Sequence, residues 1–210
     1  MDFEKFYDGQ KDYIAFRDDP LKRAEYEIKV NWKADRLVSL IPEKMPVNNI
    51  IEIGCAMGIL LNKVAEKLSV KDISGLDISG ENIKLAKNLY PGCKFYQGTI
   101  EDLKPAMESR GLKKYDLVIL SDIIEHIPDD LKFLTTVRTI SNYVLVNLPL
   151  EKCFRNRNRK YGENDPSGHL RWYDFKSAEE LMRNAGFTIS IKSFYDPVGQ
   201  SDFQVLVGRK

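Results

Sequence analysis

The sequence predicts an α/β domain, a seven-stranded, mostly parallel sheet with helices on both faces and a C-terminal antiparallel edge hairpin. Three observations predict it. Short apolar runs alternate with segments of helical periodicity between residues 49 and 148, the pattern of parallel strands joined by right-handed crossovers. The first of these runs ends in glycine and leads straight into a helix. The last two runs follow one another with no helix between them, which makes them antiparallel neighbours at the sheet edge.

Each element has a local reason. Ala24, Ile28, Trp32 and Leu37 recur at helical spacing and predict a helix over residues 20–41. Asn49-Ile-Ile-Glu-Ile-Gly54 reads as a buried strand, and Leu60, Leu61, Val64, Ala65 and Leu68 mark one face of the helix behind it. A strand over 73–78 follows, then a helix from Ser79, an N-cap residue, to Tyr90, where Pro91-Gly92 stops it. Strands over 95–97 and 116–121, a helix over 130–140 and a strand over 143–148 complete the parallel part. Residues 149–176 are irregular, basic and aromatic; a helix over 177–185 has Gly186 at its C-terminus. Strands over 187–194 and 203–207, with a Pro197-Val198-Gly199 turn between them, form the hairpin.

Composition removes several functions. The 210 residues carry 32 Lys+Arg against 31 Asp+Glu, a net charge of +1, with 43% hydrophobic residues, which excludes a disordered chain or a nucleic-acid coat. Cys55, Cys93 and Cys153 form no close pair, so neither a disulfide framework nor a structural zinc site is expected. No apolar leader and no membrane-length apolar run is visible, and the expectation is a soluble, cytoplasmic protein with no membrane partner; its oligomeric state is open. His126 and His169 are the only imidazoles.

The first strand ends in Glu52-Ile-Gly54-Cys55-Ala56-Met-Gly58, a small-residue loop that lets a ligand approach the backbone at the C-terminal edge of the sheet. Asp77 ends the second strand, 19 residues beyond Gly58, where an acid accepts hydrogen bonds from a ribose diol. A dinucleotide fingerprint needs glycines at 54, 56 and 59; Ala56 and Ile59 break it, which argues against a nicotinamide-dependent oxidoreductase.

The Glu-x-Gly-x-Ala-x-Gly spacing instead resembles the first motif of class I S-adenosylmethionine-dependent methyltransferases, whose sheet is Rossmann-like. Asp77-Ile-Ser-Gly-Glu-Asn-Ile-Lys-Leu-Ala86 is similar to their second motif, Phe95-Tyr-Gln-Gly-Thr-Ile-Glu-Asp-Leu103 to their third, and Tyr115-Asp-Leu-Val-Ile-Leu-Ser-Asp-Ile-Ile-Glu-His-Ile-Pro128 to their fourth; Ala185-Gly186-Phe187 before the hairpin also matches. The likeness covers residues 45–210. It implies S-adenosylmethionine as cofactor, with Glu52 and the Gly54–Gly58 loop (Cys55 and Ala56 included) on its methionine part. Asp77 would then meet the ribose, Ile78 the adenine face, Thr99, Ile100 and Glu101 the adenine edge, and Ser121 and Asp122 the sulfonium. Ala56 replaces the usual middle glycine. Thr99 stands where an Asp commonly meets the adenine amino group, a contact that Glu101 or Asp102 would have to supply.

The expected organisation is one domain: a helical lid or cap over 1–44, a cofactor-binding core over 45–148, a substrate loop over 149–176, and a C-terminal helix and hairpin over 177–210. Tyr7, Tyr13 and Phe16 are the lid aromatics. The expected reaction is methyl transfer to a small or medium-sized acceptor at oxygen, since no Asn/Asp-Pro-Pro-Tyr/Phe motif follows the fourth strand. His126 is the candidate base, Asp122 or Glu125 its orienting partner, and His169 a second catalytic candidate. His169, Arg171, Trp172 and Tyr173 are candidate acceptor contacts. Residues 151–160 carry five basic residues and one acid, so Arg155, Arg157 and Arg159 would draw in an anionic acceptor. Two other readings stay open. Asp122, Glu125, His126 and His169 resemble the metal-binding set of 2′-O-methyltransferases of RNA 3′ ends, which would make an RNA end the acceptor and add a divalent ion. A non-catalytic cofactor-binding subunit is the other.

Overall fold

The computed structural model describes residues 2–152, 156–162, 165–195 and 201–209. Three helices open the chain, α1 (Phe3–Asp8), α2 (Lys11–Asp18) and α3 (Pro20–Val38). Strand and helix then alternate as β1 (Asn49–Ile53), α4 (Ile59–Leu68), β2 (Asp72–Asp77), α5 (Gly80–Leu89), β3 (Lys94–Gln97), α6 (Leu103–Ser109), β4 (Tyr115–Ser121), α7 (Asp130–Ile140) and β5 (Ser141–Leu150). The chain closes with α8 (Phe175–Asn184), β6 (Phe187–Tyr195) and β7 (Ser201–Arg209).

One seven-stranded sheet results, in the order β3-β2-β1-β4-β5-β7-β6. β1 to β5 pair in parallel, and β7 pairs antiparallel with both β5 and β6. Register positions the site. Ile53 lies opposite Leu76 on one side and Leu120 on the other, so β1, β2 and β4 end level and their loops converge at one edge. Each inner strand is apolar on both faces. On β4, Leu117 and Ile119 join the layer of α3, α4 and α5, while Val118 and Leu120 join that of α7 and α8.

The helix over 20–41 is present as α3, but its buried face differs from the expected one. Val30, Ala34 and Leu37 are buried, whereas Ile28 and Trp32 are 73% and 62% exposed. The face that packs on α4 repeats at 26, 30, 33 and 37, a phase in which Lys33 sits among apolar residues and which hydropathy alone passes over. Two short helices, α1 and α2, open the segment expected to be a helical cap and bury no residue completely, while α6, whose preceding 3₁₀ turn is capped by Thr99 and Asp102, escaped the sequence reading. Ile124–His126 forms a 3₁₀ turn of its own, ended before Pro128. The turn at 197–199 lies outside the described residues.

Candidate active site

The loop after β1 is shaped by backbone requirements. Gly54 adopts φ 77°, and a Cβ there would stand 2.5 Å from Ile123 Cδ1. Ala56 also adopts a left-handed conformation, φ 45°, which explains why glycine is the usual residue at this point of the motif. The Asp77 carboxylate faces the loop, accepting from the Ala56 amide at 2.7 Å and the Ser79 amide at 2.9 Å. Burial pushes its carboxyl up to about 6 despite these amides. A cavity of about 400 Å³ opens beside it, walled by Gly54, Asp77, Ile78, Thr99, Ile100 and Glu101 on the sheet side and by Tyr7, Tyr13 and His126 across from them.

A second recess of about 70 Å³ continues past Gly54, lined by Glu52, Cys55, Ala56, Ser121, Asp122, Tyr26 and Lys33. The Lys33 ammonium pairs with Asp122 Oδ2 and reaches Ser121 Oγ at 3.5 Å. Burial works against the Lys33 charge, but Asp122 outweighs it and holds the ammonium above its ordinary range. Asp122, at φ 52°, is fixed from the sheet: Asn147 Nδ2 donates to Oδ1 at 2.8 Å, and Gln204 Nε2 donates to Asn147 Oδ1 at 2.7 Å. Glu52 is buried, its Oε2 has no partner of hydrogen-bonding geometry, and burial pushes its carboxyl up to about 8.

Beyond Asp122 the polar groups form a cluster. Glu125 is 1% exposed, and neither carboxylate oxygen has a partner of hydrogen-bonding geometry. Burial, then the nearby Asp122, push its carboxyl well above the ordinary range. His126 Nε2 lies 3.9 Å from Glu125 Oε1, and the two imidazoles stand edge to face with centroids 4.7 Å apart. His126 Nδ1 donates to the Gly168 carbonyl at 3.0 Å, and His169 Nδ1 to Glu151 Oε2 at 2.6 Å. Burial and the neighbouring His169 push His126 down to about 4, so it is a neutral imidazole at neutral pH. Glu125, His126 and His169 each offer a ligand atom within 4.8 Å of the others.

α1 and α2 lie over this end. Tyr7 meets the His126 ring edge-on at 5.7 Å, and its buried hydroxyl has no hydrogen-bond partner. Ser79 Oγ donates to Asp8 at 2.5 Å, and Arg17 bridges the Asp8 carbonyl and Asn82. Phe16 stacks on Tyr26 instead of facing the cavity.

The expected cofactor residues therefore gather at two adjoining recesses, apart from Gly58, which lines neither. It caps α4 at φ 76°, where a Cβ would strike the Phe95 ring at 2.8 Å. Asp102 is likewise committed, to the amide and hydroxyl of Thr99. Asp122 does not orient His126, because its two oxygens are held by Lys33 and Asn147. The acceptor contacts expected of the 149–176 loop are redirected too. Arg171 pairs with Asp130 at 2.6 Å and donates to the Pro128 carbonyl; buried Tyr173 donates to the same Asp130. Trp172 carries Lys152 over its ring. Arg159 is bound inward by Glu151 and Asp165, Arg157 is exposed, and Arg155 lies outside the described residues. Lys33 was missed by sequence reasoning, although the 26–30–33–37 phase contains its signal.

Comparisons fit this architecture. A solved structure of a magnesium protoporphyrin IX methyltransferase from Synechocystis with bound S-adenosylmethionine superposes with a TM-score of 0.62 at 16% identity, covering 90% of this chain and 81% of that one. That likeness is one of fold, a Rossmann-like sheet with its cleft at the C-terminal edge of the strands. A family model described as a methyltransferase domain matches residues 23–190, and the chain belongs to that family. Ubiquinone biosynthesis O-methyltransferase of Haemophilus ducreyi is 27% identical over 154 residues, 62% of this chain and 64% of the relative. Malonyl-[acyl-carrier protein] O-methyltransferase 2 of Ilyobacter polytropus is 34% identical over 94 residues, 45% of this chain and 35% of the relative. The chain thus spans between about a third and two thirds of these relatives' lengths. No helix among the described residues is long and apolar enough to cross a membrane.

Proposed function

We propose that this methyltransferase transfers the methyl group of S-adenosylmethionine to an oxygen of a small or medium-sized acceptor, at the Glu125–His126–His169 cluster. The observation that carries this reading is the cluster itself: a buried carboxyl without partners and two imidazoles whose Nε2 atoms are left over once each Nδ1 has donated. Such groups are costly to bury unless something binds them. On this reading Asp77 holds the ribose, Ile78 and Ile100 the adenine, and Lys33 leaves Asp122 for the cofactor's carboxylate while Glu52 takes its ammonium. Methyl transfer is an in-line displacement, so the remaining work is alignment, exclusion of water by Tyr7 and Tyr13, and removal of the acceptor's proton. Oxygen as acceptor is supported by the names of the two relatives. Methyl-labelled cofactor offered to a panel of phenols, carboxylates and amines tests this: label in ethers or base-labile esters is expected, and label in amines alone overturns it.

A specific feature favours a second reading, in which the cluster binds a divalent cation. Both histidines already donate Nδ1 to an oxygen acceptor, the arrangement that orients metal-ligating imidazoles, and Glu125 adds a free carboxyl. Asp122, the fourth member of the resembling set, is held elsewhere by Lys33 and Asn147. Glu125, His126 and His169 would hold the ion, which would acidify the acceptor hydroxyl. Activity should then vanish in EDTA and return with Mn²⁺ or Mg²⁺; full activity in chelator removes this second reading.

A further inference from the structure

The basic loop before His169 does something its charge does not suggest. Glu151 is buried at the end of β5, and both its oxygens are used: Oε1 accepts from Arg159 Nη1 at 2.5 Å, Oε2 from His169 Nδ1 at 2.6 Å. Arg159 turns its other nitrogens onto Asp165, donating from Nε at 2.7 Å and Nη2 at 2.8 Å. Asp165 is buried and also accepts from the backbone amides of Ser167 and His169. Burial pushes the Asp165 carboxyl up, but Arg159 and those amides outweigh it and hold it at about 2. The brace therefore grips His169 at both its ring and its amide. Gly168, between Ser167 and His169, presents its carbonyl to His126, and the Leu170 amide donates to the Glu125 carbonyl at 2.9 Å.

We propose that Glu151 is a positioning residue for His169, with Arg159 and Asp165 as its brace, fixing the imidazole in the Nδ1–H tautomer so that Nε2 is the free atom beside Glu125 and His126. The reasoning is one of inventory. A carboxylate oxygen accepts, so the ring nitrogen facing it donates, and a neutral imidazole then has a single lone pair, on Nε2. Two carboxyl groups share one guanidinium here, more acid than a loop closure requires. Arg159 is clamped bidentately on Asp165 and so presents Nη1 to Glu151 from a fixed position; an acceptor held in this way selects one ring orientation. The inference rests on the proposed role of the cluster, but the tautomer is measurable apart from it.

The protein has two histidines, so long-range ¹H–¹⁵N spectra of the imidazoles contain two spin systems, assigned with His126→Gln. Both should show a protonated Nδ1 and a bare Nε2 in the wild type. Glu151→Leu should move most of the His169 population to the Nε2–H form and leave His126 unchanged; Glu151→Gln, which keeps an acceptor oxygen, should restore the wild-type pattern. An unaltered His169 in Glu151→Leu overturns the proposal. So does an Nε2–H tautomer in the wild type, which decides the matter even if Glu151→Leu does not fold. Titrating Mn²⁺ into the same wild-type sample tests the cation reading separately. Broadening of both imidazoles supports it, and sharp signals remove it while the tautomer result stands.

Discussion

The two ends of the cleft are built from different materials. At the cofactor end, backbone does the shaping: three strands end in register, a left-handed loop joins β1 to α4, and main-chain amides hold Asp77. At the end proposed for the acceptor, side chains do it. Tyr7, Glu125, His126, Glu151, Arg159, Asp165 and His169 come from a lid helix, a 3₁₀ turn and a loop, and ion pairs and imidazole contacts hold them. A site made of backbone needs a contiguous motif. A site made of side chains needs partners scattered in the chain, adjacent in one pair (Glu125 and His126) and 119 residues apart in another (Tyr7 and His126).

The largest effect is expected where the comparison is simplest. Asp77→Ala removes the carboxylate that faces the loop, and on the proposed reading the two charge-assisted hydrogen bonds it would accept from the ribose diol, at about 1.5–3 kcal/mol each, predict at least a 100-fold loss of S-adenosylhomocysteine affinity by calorimetry. Undiminished binding would show that the cofactor end is not where the backbone builds it. Lys33→Met is expected to weaken the same ligand by about 30-fold, roughly one charge-assisted contact, with Lys33→Arg recovering part of it. Equal binding by Lys33→Met would confine Lys33 to holding Asp122.

Glu52 makes the cofactor end sensitive to pH. Its carboxyl titrates at about 8 in the free protein because burial disfavours the anion. On the proposed reading the Glu52 anion holds the cofactor's ammonium, so below pH 8 a proton must leave on binding. Affinity is therefore expected to tighten about tenfold per unit from pH 6 to pH 8 and to level off above. Calorimetry near pH 7 in buffers of different ionisation enthalpy should register a released proton. A flat profile, or one that weakens with rising pH, contradicts this role.

At the acceptor end the same chemistry should separate stability from activity. Glu125 is buried without hydrogen-bond partners, so Glu125→Met replaces an uncompensated polar group with an apolar one of similar length. Thermal unfolding should show a gain of about 1–2 kcal/mol, with cofactor affinity unchanged and methyl transfer lost. A loss of stability would mean that the carboxyl is better satisfied than its surroundings indicate.

This division also explains what could be read in the sequence. Asp77 and the loop after β1 were legible because strand ends and loop follow one another in the chain. Gly58 falls in the same contiguous loop, but what requires a glycine there is Phe95, a contact across strands that spacing does not encode. His126 and His169 were legible as residue types but not in their partners. Glu151 looked like the lone acid of a basic stretch, and Arg159 like a lure for anions, until the fold joined the two. Lys33 was hidden by a phase error of one helix face, because Ile28 and Trp32 are apolar and exposed.

The smallest effect tests whether the loop after β1 depends on backbone alone. Ala56 occupies a left-handed conformation at φ 45°, which costs an L-residue about 1–2 kcal/mol, while glycine adopts it freely. Glycine gives back about 0.5–1 kcal/mol through the greater entropy of its unfolded chain. Ala56→Gly should therefore be neutral to about 1 kcal/mol more stable, a rise of no more than about 4 °C in Tm for a chain of this size. Its amide to Asp77 is retained, so S-adenosylhomocysteine affinity should stay within about twofold, roughly 0.4 kcal/mol. A clear loss of stability or affinity would mean that the Ala56 methyl itself packs the recess, and that the loop is shaped by a side chain as well as by backbone.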